Sequence, residues 1–256
     1  MSSAITTESS GLTTDRSTQL GAHDRRVILV LLISVFVMIL NETTMGVALP
    51  TLTRELGVTP SAAQWLTAAF LLTMAVTIPI TGFLLQRFHT RPLFMAAMGL
   101  FTLGALIAAA APGFEVLLLA RIVQASGTAV MFPLLMTTAM NLVPAATRGQ
   151  MMGDISIVIS VAPAIGLTIS GAILDKRDWR FMFILVLRIA LTTLIVGASL
   201  ITNVTEPRPT RIDAASVMLS ARGFGGVVFG LSNLGTATGH FSTYAPSRPG
   251  ISASRS

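Results

Sequence analysis

The sequence predicts an all-α fold that crosses a membrane as a helical bundle, and three observations support this fold class. Of the 256 residues, 52% are hydrophobic and only 11% are charged, whereas soluble domains carry about 25% charged residues. The apolar residues come in runs of about twenty, the length that a helix needs to span the bilayer core. Short segments with proline, glycine or charge separate these runs. We therefore expect an integral membrane protein.

Six apolar runs are predicted as transmembrane helices. They cover residues 27–50, 63–85, 93–111, 115–141, 150–173 and 180–202. The first run is longer than the apolar region of a signal peptide and further spans follow it, so it is interpreted as an uncleaved helix. The predicted organisation is a disordered cytoplasmic leader (1–24), a six-helix domain (25–202), a cytoplasmic linker (203–212), a seventh transmembrane helix (213–235) and a polar, disordered tail (236–256).

Arginine and lysine in the short loops indicate the orientation of the chain. With the N-terminus in the cytoplasm, basic residues on the inner side outnumber those on the outer side about two to one. The net charge of +6 is interpreted as a topology signal, because the arginines do not form one basic face with interleaved aromatic residues. We predict a multi-pass protein of the plasma (inner) membrane, with the lipid bilayer and no nucleic acid among its partners.

Residue types exclude several function classes. Cysteine is absent, so a disulfide framework is excluded. The three histidines, His23, His89 and His240, show no metal-ligand spacing, and neither a metal site nor a cofactor is expected. The sequence contains no nucleophile elbow and no zinc-binding histidine pair, which argues against an enzyme.

Polar residues interrupt the first helix at Asn41, Glu42 and Thr44. Asn41 and Thr44 share one helix face at i and i+3, and Glu42 lies about 100° away. A charged group inside a membrane requires a partner or a wet cavity, so each such group is a functional candidate. Glu42 is the leading candidate for a proton carrier. The alternative is a structural carboxylate that is permanently paired with an arginine.

A polar stripe runs along the fourth helix, where Arg121, Gln124 and Thr128 recur at i, i+3 and i+7. The functional interpretation is that Arg121 lines a transport cavity and modulates a nearby carboxylate. The alternative is a hydrogen-bond network that only packs helices together. Arg188 and Arg222 also lie inside apolar runs, and the sequence offers no partner on the same helix face for either.

Small residues mark the fifth helix as an interface. Gly149 and Gly153, then Ala162, Gly166 and Ser170, recur at i+4 steps, which would let another helix approach closely. Pro163 removes one backbone hydrogen bond in mid-span and permits a bend. Static packing and a hinge are both consistent with this pattern.

Four local motifs resemble the major facilitator superfamily and, within it, the 14-helix drug:proton antiporters of the lincomycin-resistance type. LNETTMGVALP in the first helix resembles a Leu-Asp-x-Thr pattern followed by Ala-Leu-Pro, with Asn41 at the aspartate position and Glu42 beside it. GFLLQRFHTR resembles the signature loop Gly-x-Leu-x-Asp-Arg-x-Gly-Arg. That loop would form a cytoplasmic gate from Gly82, Gln86, Arg87 and Arg91, with Gln86 in place of the aspartate.

The other two motifs lie on the fourth and fifth helices. LLLARIVQASGTA is similar to an Arg-x-x-Gln-Gly element, with Arg121 and Gln124 in place. SVAPAIGLTISG is similar to the antiporter element Gly-Pro-x-x-Gly-Gly and retains Pro163 and Gly166. Together the motifs imply the N-terminal six-helix half of a major facilitator fold plus a seventh, linker helix.

The resemblance also implies a function and a set of partners. The family exchanges protons for hydrophobic or cationic drugs by alternating access, so we expect a proton-coupled efflux transporter. Such a transporter needs two six-helix halves, and the patterning here ends after residue 235. We therefore expect a truncated chain that requires a second half-transporter or a homodimer. The alternative is a non-transporting membrane remnant or subunit.

Overall fold

The computed structural model describes residues 21–176 and 178–203, together with the helical positions Gly223, Gly226 and Gly230. Within these residues the chain is helical and contains no strand. The helices are α1 (Ala22–Glu55), α2 (Pro60–Arg87), α3 (Thr90–Ala109), α4 (Phe114–Leu142), α5 (Arg148–Leu174) and α6 (Arg180–Leu200), with one 3-10 turn (Ala145–Thr147) before α5. All six are long and apolar enough to cross a membrane. The predicted all-α membrane bundle is confirmed.

Some predicted segments lie outside the described residues. These are the leader up to residue 20, the linker from residue 204, the tail and Arg222. In the predicted seventh helix, only Gly223, Gly226 and Gly230 are described, and all three are helical and exposed. The remainder of that helix stays a prediction.

α1 is longer than the apolar run that predicted it. It has 34 residues and continues through Pro50 to Glu55, a length of about 51 Å at 1.5 Å per residue, which exceeds the bilayer core. Residues 22–24 therefore belong to α1 and not to the predicted leader. Hydropathy detects only the segment inside the hydrocarbon, whereas the helix continues beyond it.

Helix starts and prolines follow local backbone chemistry. At the start of α2, Thr59 Oγ1 accepts a hydrogen bond from the Ala62 backbone N–H at 3.2 Å, and Pro60 occupies the first helical position, where its missing N–H costs nothing. Pro133 and Pro163 lie inside α4 and α5 without ending them, as membrane helices allow.

Close approaches between helices organise the bundle. α4 packs between α3 and α2, while α1 packs against α5, α6 and α4. At Gly104 of α3, an added Cβ would lie 2.7 Å from the Gln124 backbone nitrogen and 2.8 Å from the Ala120 carbonyl oxygen, both of α4. Glycine is therefore required there, because any side chain would push the two backbones apart.

α2 and α5 leave most of their surface open. They bury 11% and 17% of their most apolar 18-residue segments, compared with 61% for α1. Large apolar side chains, including Leu71 and Ile78 of α2 and Ile157 of α5, are exposed. These two helices therefore present faces that are free to meet lipid or another polypeptide.

Candidate functional site

A buried polar layer separates two apolar clusters in the bundle. One cluster includes the α1 residues from Val27 to Leu40 and the α4 residues from Val130 to Ala139. The other includes the α1 residues from Met45 to Leu52 and the α4 residues Leu117 and Ala120. The polar layer is formed by Asn41, Glu42, Thr44, Arg121 and Gln124. Arg121 lies seven residues from the start of α4, about 10 Å along the helix, so the layer is well inside the membrane.

Arg121 is fully buried and joins α4 to α2. Its guanidinium carbon lies 4.2 Å from the centre of the Phe70 ring, within the range of a cation–π interaction. Its Nε donates to the Leu66 carbonyl oxygen at 3.5 Å, and its Nη1 donates to Gln124 Oε1 at 3.2 Å. Its Nη2 is buried without a hydrogen-bond partner. One donor of the guanidinium therefore remains available.

Gln124 continues the network toward α3. Its side-chain Oε1 accepts from Arg121, while its Nε2 is buried without a partner. The close contact at Gly104 confines the Gln124 side chain between α3 and α4. Thr128 Oγ1 donates to the Gln124 carbonyl oxygen at 3.0 Å, so this hydroxyl is satisfied within α4. The three residues of the predicted stripe are thus linked by hydrogen bonds. The side chains of Arg121 and Gln124 bond to each other, and Thr128 bonds to the Gln124 backbone.

On α1, burial separates the three polar side chains as the helical period predicts. Asn41 is 1% exposed and Thr44 is 5% exposed, whereas Glu42 is partly exposed. Thr44 Oγ1 donates to the Leu40 carbonyl oxygen at 2.7 Å. Asn41 Nδ2 is buried without a partner. Two of the three α1 residues thus face the interior, and Glu42 lies at its border.

Glu42 and Arg121 belong to the same polar layer without forming an ion pair. Among the described residues, no N–O distance within 4 Å joins them. The polar layer therefore holds three nitrogen donors without acceptors, on Asn41, Arg121 and Gln124. Unpaired buried donors cost free energy unless a water, a carboxylate or a ligand completes them. Chemically, the layer is suited to receive an acceptor or a negative charge.

The α1–α5 interface contains the predicted fifth-helix motif. Ala162, Gly166 and Ser170 are buried, and a Cβ at Gly166 would collide with Thr43 Oγ1 of α1. Pro163 is half-buried beside them. This interface borders the polar layer, because Thr43 follows Glu42 in α1.

The other half of the predicted small-residue stripe is wrong. Gly149 and Gly153 have open space around them. Gly153 and Ala162 are nine residues apart, which at 100° per residue places them on opposite sides of α5. Only the second group of small residues therefore contacts α1.

Comparison with known proteins identifies the family. Residues 31–252 match the Major Facilitator Superfamily. The chain belongs to the Major Facilitator Superfamily. It is 46% identical over 207 residues to the uncharacterized MFS-type transporter YcnB of Bacillus subtilis (strain 168), covering 81% of this chain and 44% of that protein. It is 42% identical over 217 residues to the lincomycin resistance protein LmrB of the same organism, covering 85% and 45%.

Solved structures show the same fold. The crystal structure of the human organic anion transporter MFSD10 (TETRAN) superposes with a TM-score of 0.66 at 15% identity and covers 77% of this chain and 53% of that chain. The chain spans about half the length of these relatives. The family to which the chain belongs is one of transporters and not of enzymes.

The loop that resembles the superfamily's cytoplasmic gate joins α2 to α3, and its residues make different contacts. Arg91 Nη2 donates to the Ala198 carbonyl oxygen at 2.9 Å and ties the start of α3 to the last turn of α6. Arg87 lies 5.9 Å from the centre of the Phe83 ring at the end of α2. Gly82 is exposed with open space beside it, and Gln86 is also exposed. Arg91 thus contacts α6, and the gate itself stays a prediction.

Sequence reasoning missed two residues of the site, Phe70 and Leu66. Both lie in the apolar run of α2, one turn apart, and both hold Arg121. No sequence periodicity identifies these two residues, because they lie on a different helix from the arginine that they contact. The one available signal was the arginine itself, whose burial demands partners.

Proposed function

We propose that this major facilitator chain provides the proton-coupling half of a drug efflux transporter, with Glu42 as the proton carrier. One observation carries the proposal: Glu42 lies at the border of the polar layer that contains Arg121, and the Arg121 Nη2 is buried without a hydrogen-bond partner. A carboxylate that changes its charge beside an arginine with a free donor provides a way to couple protonation to rearrangement.

The proposed coupling depends on the charge of Glu42. When Glu42 is ionised, its attraction to Arg121 favours a conformation in which the two groups approach and the free Nη2 donor is satisfied. When Glu42 is protonated, this attraction disappears and the layer is free to accept a drug or water. A proton thereby shifts the population of two conformations, as exchange of a proton for a drug requires.

The relatives support an exporter of hydrophobic or cationic drugs. One of them, LmrB, is named a lincomycin resistance protein. The open apolar surface of the bundle is compatible with hydrophobic substrates. We extend this to the plasma membrane with the N-terminus in the cytoplasm. In support, Arg25, Arg26, Arg87, Arg91 and Arg148 all lie at the end of the bundle where α1 begins.

A second candidate is a membrane subunit that does not transport alone. The open faces of α2 and α5 favour it, since only 11% and 17% of their apolar segments are buried. A second six-helix half, from another polypeptide or a second copy of this chain, would cover these faces. Transport by alternating access would then take place between the two halves.

The experiment measures drug accumulation in inverted membrane vesicles that contain the native chain, Glu42→Gln or Asp154→Asn. Lincomycin is the first probe, and each vesicle preparation is compared with and without a pH gradient. Asp154 is the matched control because it is a carboxylate within α5 that is exposed and distant from the polar layer. Insertion of each variant is checked by protease protection.

Three outcomes separate the candidates. Gradient-dependent uptake that is lost in Glu42→Gln and kept in Asp154→Asn supports proton coupling at Glu42. Uptake that is equal in the native chain and Glu42→Gln removes Glu42 from the coupling role. Absence of uptake in all three inserted proteins favours the second candidate, and restoration by a separately expressed second half would then support the subunit role.

A further inference from the structure

Arg188 is an exposed charge in the middle of a membrane helix. It lies eight residues from the start of α6, about 12 Å along a helix that itself spans the bilayer core. Leu191 and Ile195, which follow on the same side of α6, are apolar and 46% and 63% exposed. A guanidinium on such a face is costly inside the hydrocarbon unless it finds a partner.

Exposed hydroxyl groups on the helix faces are already satisfied. Exposed hydroxyl groups donate to carbonyl oxygens of their own helix at 2.8 to 3.0 Å, in Ser126, Ser156, Thr168, Thr192 and Ser199. Such hydroxyls tolerate lipid because they expose no free donor. The Arg188 side chain, in contrast, makes no hydrogen bond or ion pair with any residue that the structure describes. Its partner therefore lies outside the residues that the structure describes.

Carboxylates within the described helices are poorly placed to serve Arg188. Glu42 belongs to the polar layer on α1. Asp154 lies six residues from the start of α5, about 9 Å from the opposite membrane surface. In a parallel second copy, Asp154 would thus lie at a different depth from Arg188. The arrangement argues against a salt bridge between copies.

The direction of the side chain identifies the partner. Helical side chains point toward the N-terminus of their helix, so the Arg188 guanidinium points toward the surface at which α6 begins. Long basic side chains extend in this way toward the headgroup region, and the bilayer thins locally around an intramembrane arginine, which brings the headgroups within its reach. We propose that Arg188 binds the phosphate of an anionic phospholipid in the leaflet at which α6 begins, while Leu191 and Ile195 contact its acyl chains.

The test measures the affinity of the chain for phosphatidylglycerol. Full-length chains are extracted from vesicles of phosphatidylcholine and phosphatidylglycerol in detergent, and native mass spectrometry gives the apparent Kd of the most tightly retained phosphatidylglycerol. Arg188→Gln is expected to weaken this Kd about fivefold, the equivalent of roughly 1 kcal/mol per basic residue at an anionic surface. Arg188→Lys is expected to keep most of the affinity, because the charge and the long stem remain.

The matched control is Lys176→Gln, which removes the same charge from an exposed position at the same end of α6. If Lys176→Gln and Arg188→Gln weaken phosphatidylglycerol binding equally, the binding reflects general attraction to a basic surface. That result would overturn the proposal. An unchanged Kd in Arg188→Gln, or loss of a dimer peak in place of lipid loss, would also overturn it. Should Arg188→Gln fail to insert, equal retention of phosphatidylcholine and phosphatidylglycerol by the native chain would be the overturning result.

Discussion

The contact between Gly166 and Thr43 provides the sharpest test of the bundle. A Cβ at Gly166 would collide with Thr43 Oγ1 and would lie 3.3 Å from both the Leu40 carbonyl oxygen and Thr43 Cβ. One alternative rotamer of Thr43 would place its methyl group where the hydroxyl now lies, because the side chain is β-branched. Rotation would also break the hydrogen bond from Thr43 Oγ1 to the Leu40 carbonyl oxygen at 2.9 Å. Gly166→Ala must therefore separate α1 from α5.

The magnitude follows from comparing two substitutions in one helix. Gly153→Ala adds the same methyl group to α5 where nothing lies within 4 Å. Both variants gain the same helix propensity, about 1 kcal/mol, so this gain cancels in the difference. The remaining difference is the cost of overpacking, about 1–3 kcal/mol. We expect Gly166→Ala to be less stable than Gly153→Ala by this amount.

The assay is equilibrium unfolding in mixed micelles with increasing sodium dodecyl sulfate, followed by circular dichroism. A double variant with Thr43→Ala and Gly166→Ala should recover part of the loss, because the colliding hydroxyl is removed. Recovery should remain incomplete, since the Leu40 carbonyl oxygen and the Cβ at position 43 stay 3.3 Å away. Equal stability of Gly166→Ala and Gly153→Ala would refute the described α1–α5 contact.

Three further predictions concern the polar layer and the helix ends. Arg121→Met should unfold more easily than the Arg121→Met/Gln124→Met double variant by about 1–3 kcal/mol, because the single change leaves a buried acceptor unpaired; the reverse order in micelle unfolding would contradict this. Phe70→Leu should cost about 0.5–2 kcal/mol of cation–π energy, and a double-mutant cycle with Arg121→Met should show coupling, whereas additive effects would exclude it. Arg91→Leu should accelerate hydrogen exchange in the last turn of α6 beyond Ala198 without changing global unfolding, and unchanged exchange there would show that the bond is dispensable.

The fold was predictable because membrane helices obey a strong local constraint. Each backbone polar group in hydrocarbon must be satisfied within its own helix, so a long apolar run indicates one span. This constraint located all six described helices. It did not locate their ends, since charged turns such as those at Ala22 and Glu55 remain helical outside the hydrocarbon.

The site was predictable only within each helix. The helical period separated Asn41 and Thr44 from Glu42, and burial confirms that separation. The period also linked Arg121 to Gln124, which are hydrogen-bonded. The helical period gave no information about Phe70, which lies on another helix. It also failed at Gly153, because the nine-residue gap between Gly153 and Ala162 does not continue an i+4 stripe.

The polar layer lowers the stability of the bundle, and the proposed exchange of protons gives a reason for it. An apolar core at Arg121 would be more stable, because buried charged groups rarely repay their desolvation. The chain instead supports the arginine with the Phe70 ring and the Leu66 carbonyl, and leaves Nη2 unpaired. If every N–H group of Arg121 had a hydrogen-bond partner, a change in the charge of Glu42 would not be expected to change those partners. Under the proposed function, the unpaired Nη2 is the group that changes partner when Glu42 changes its charge.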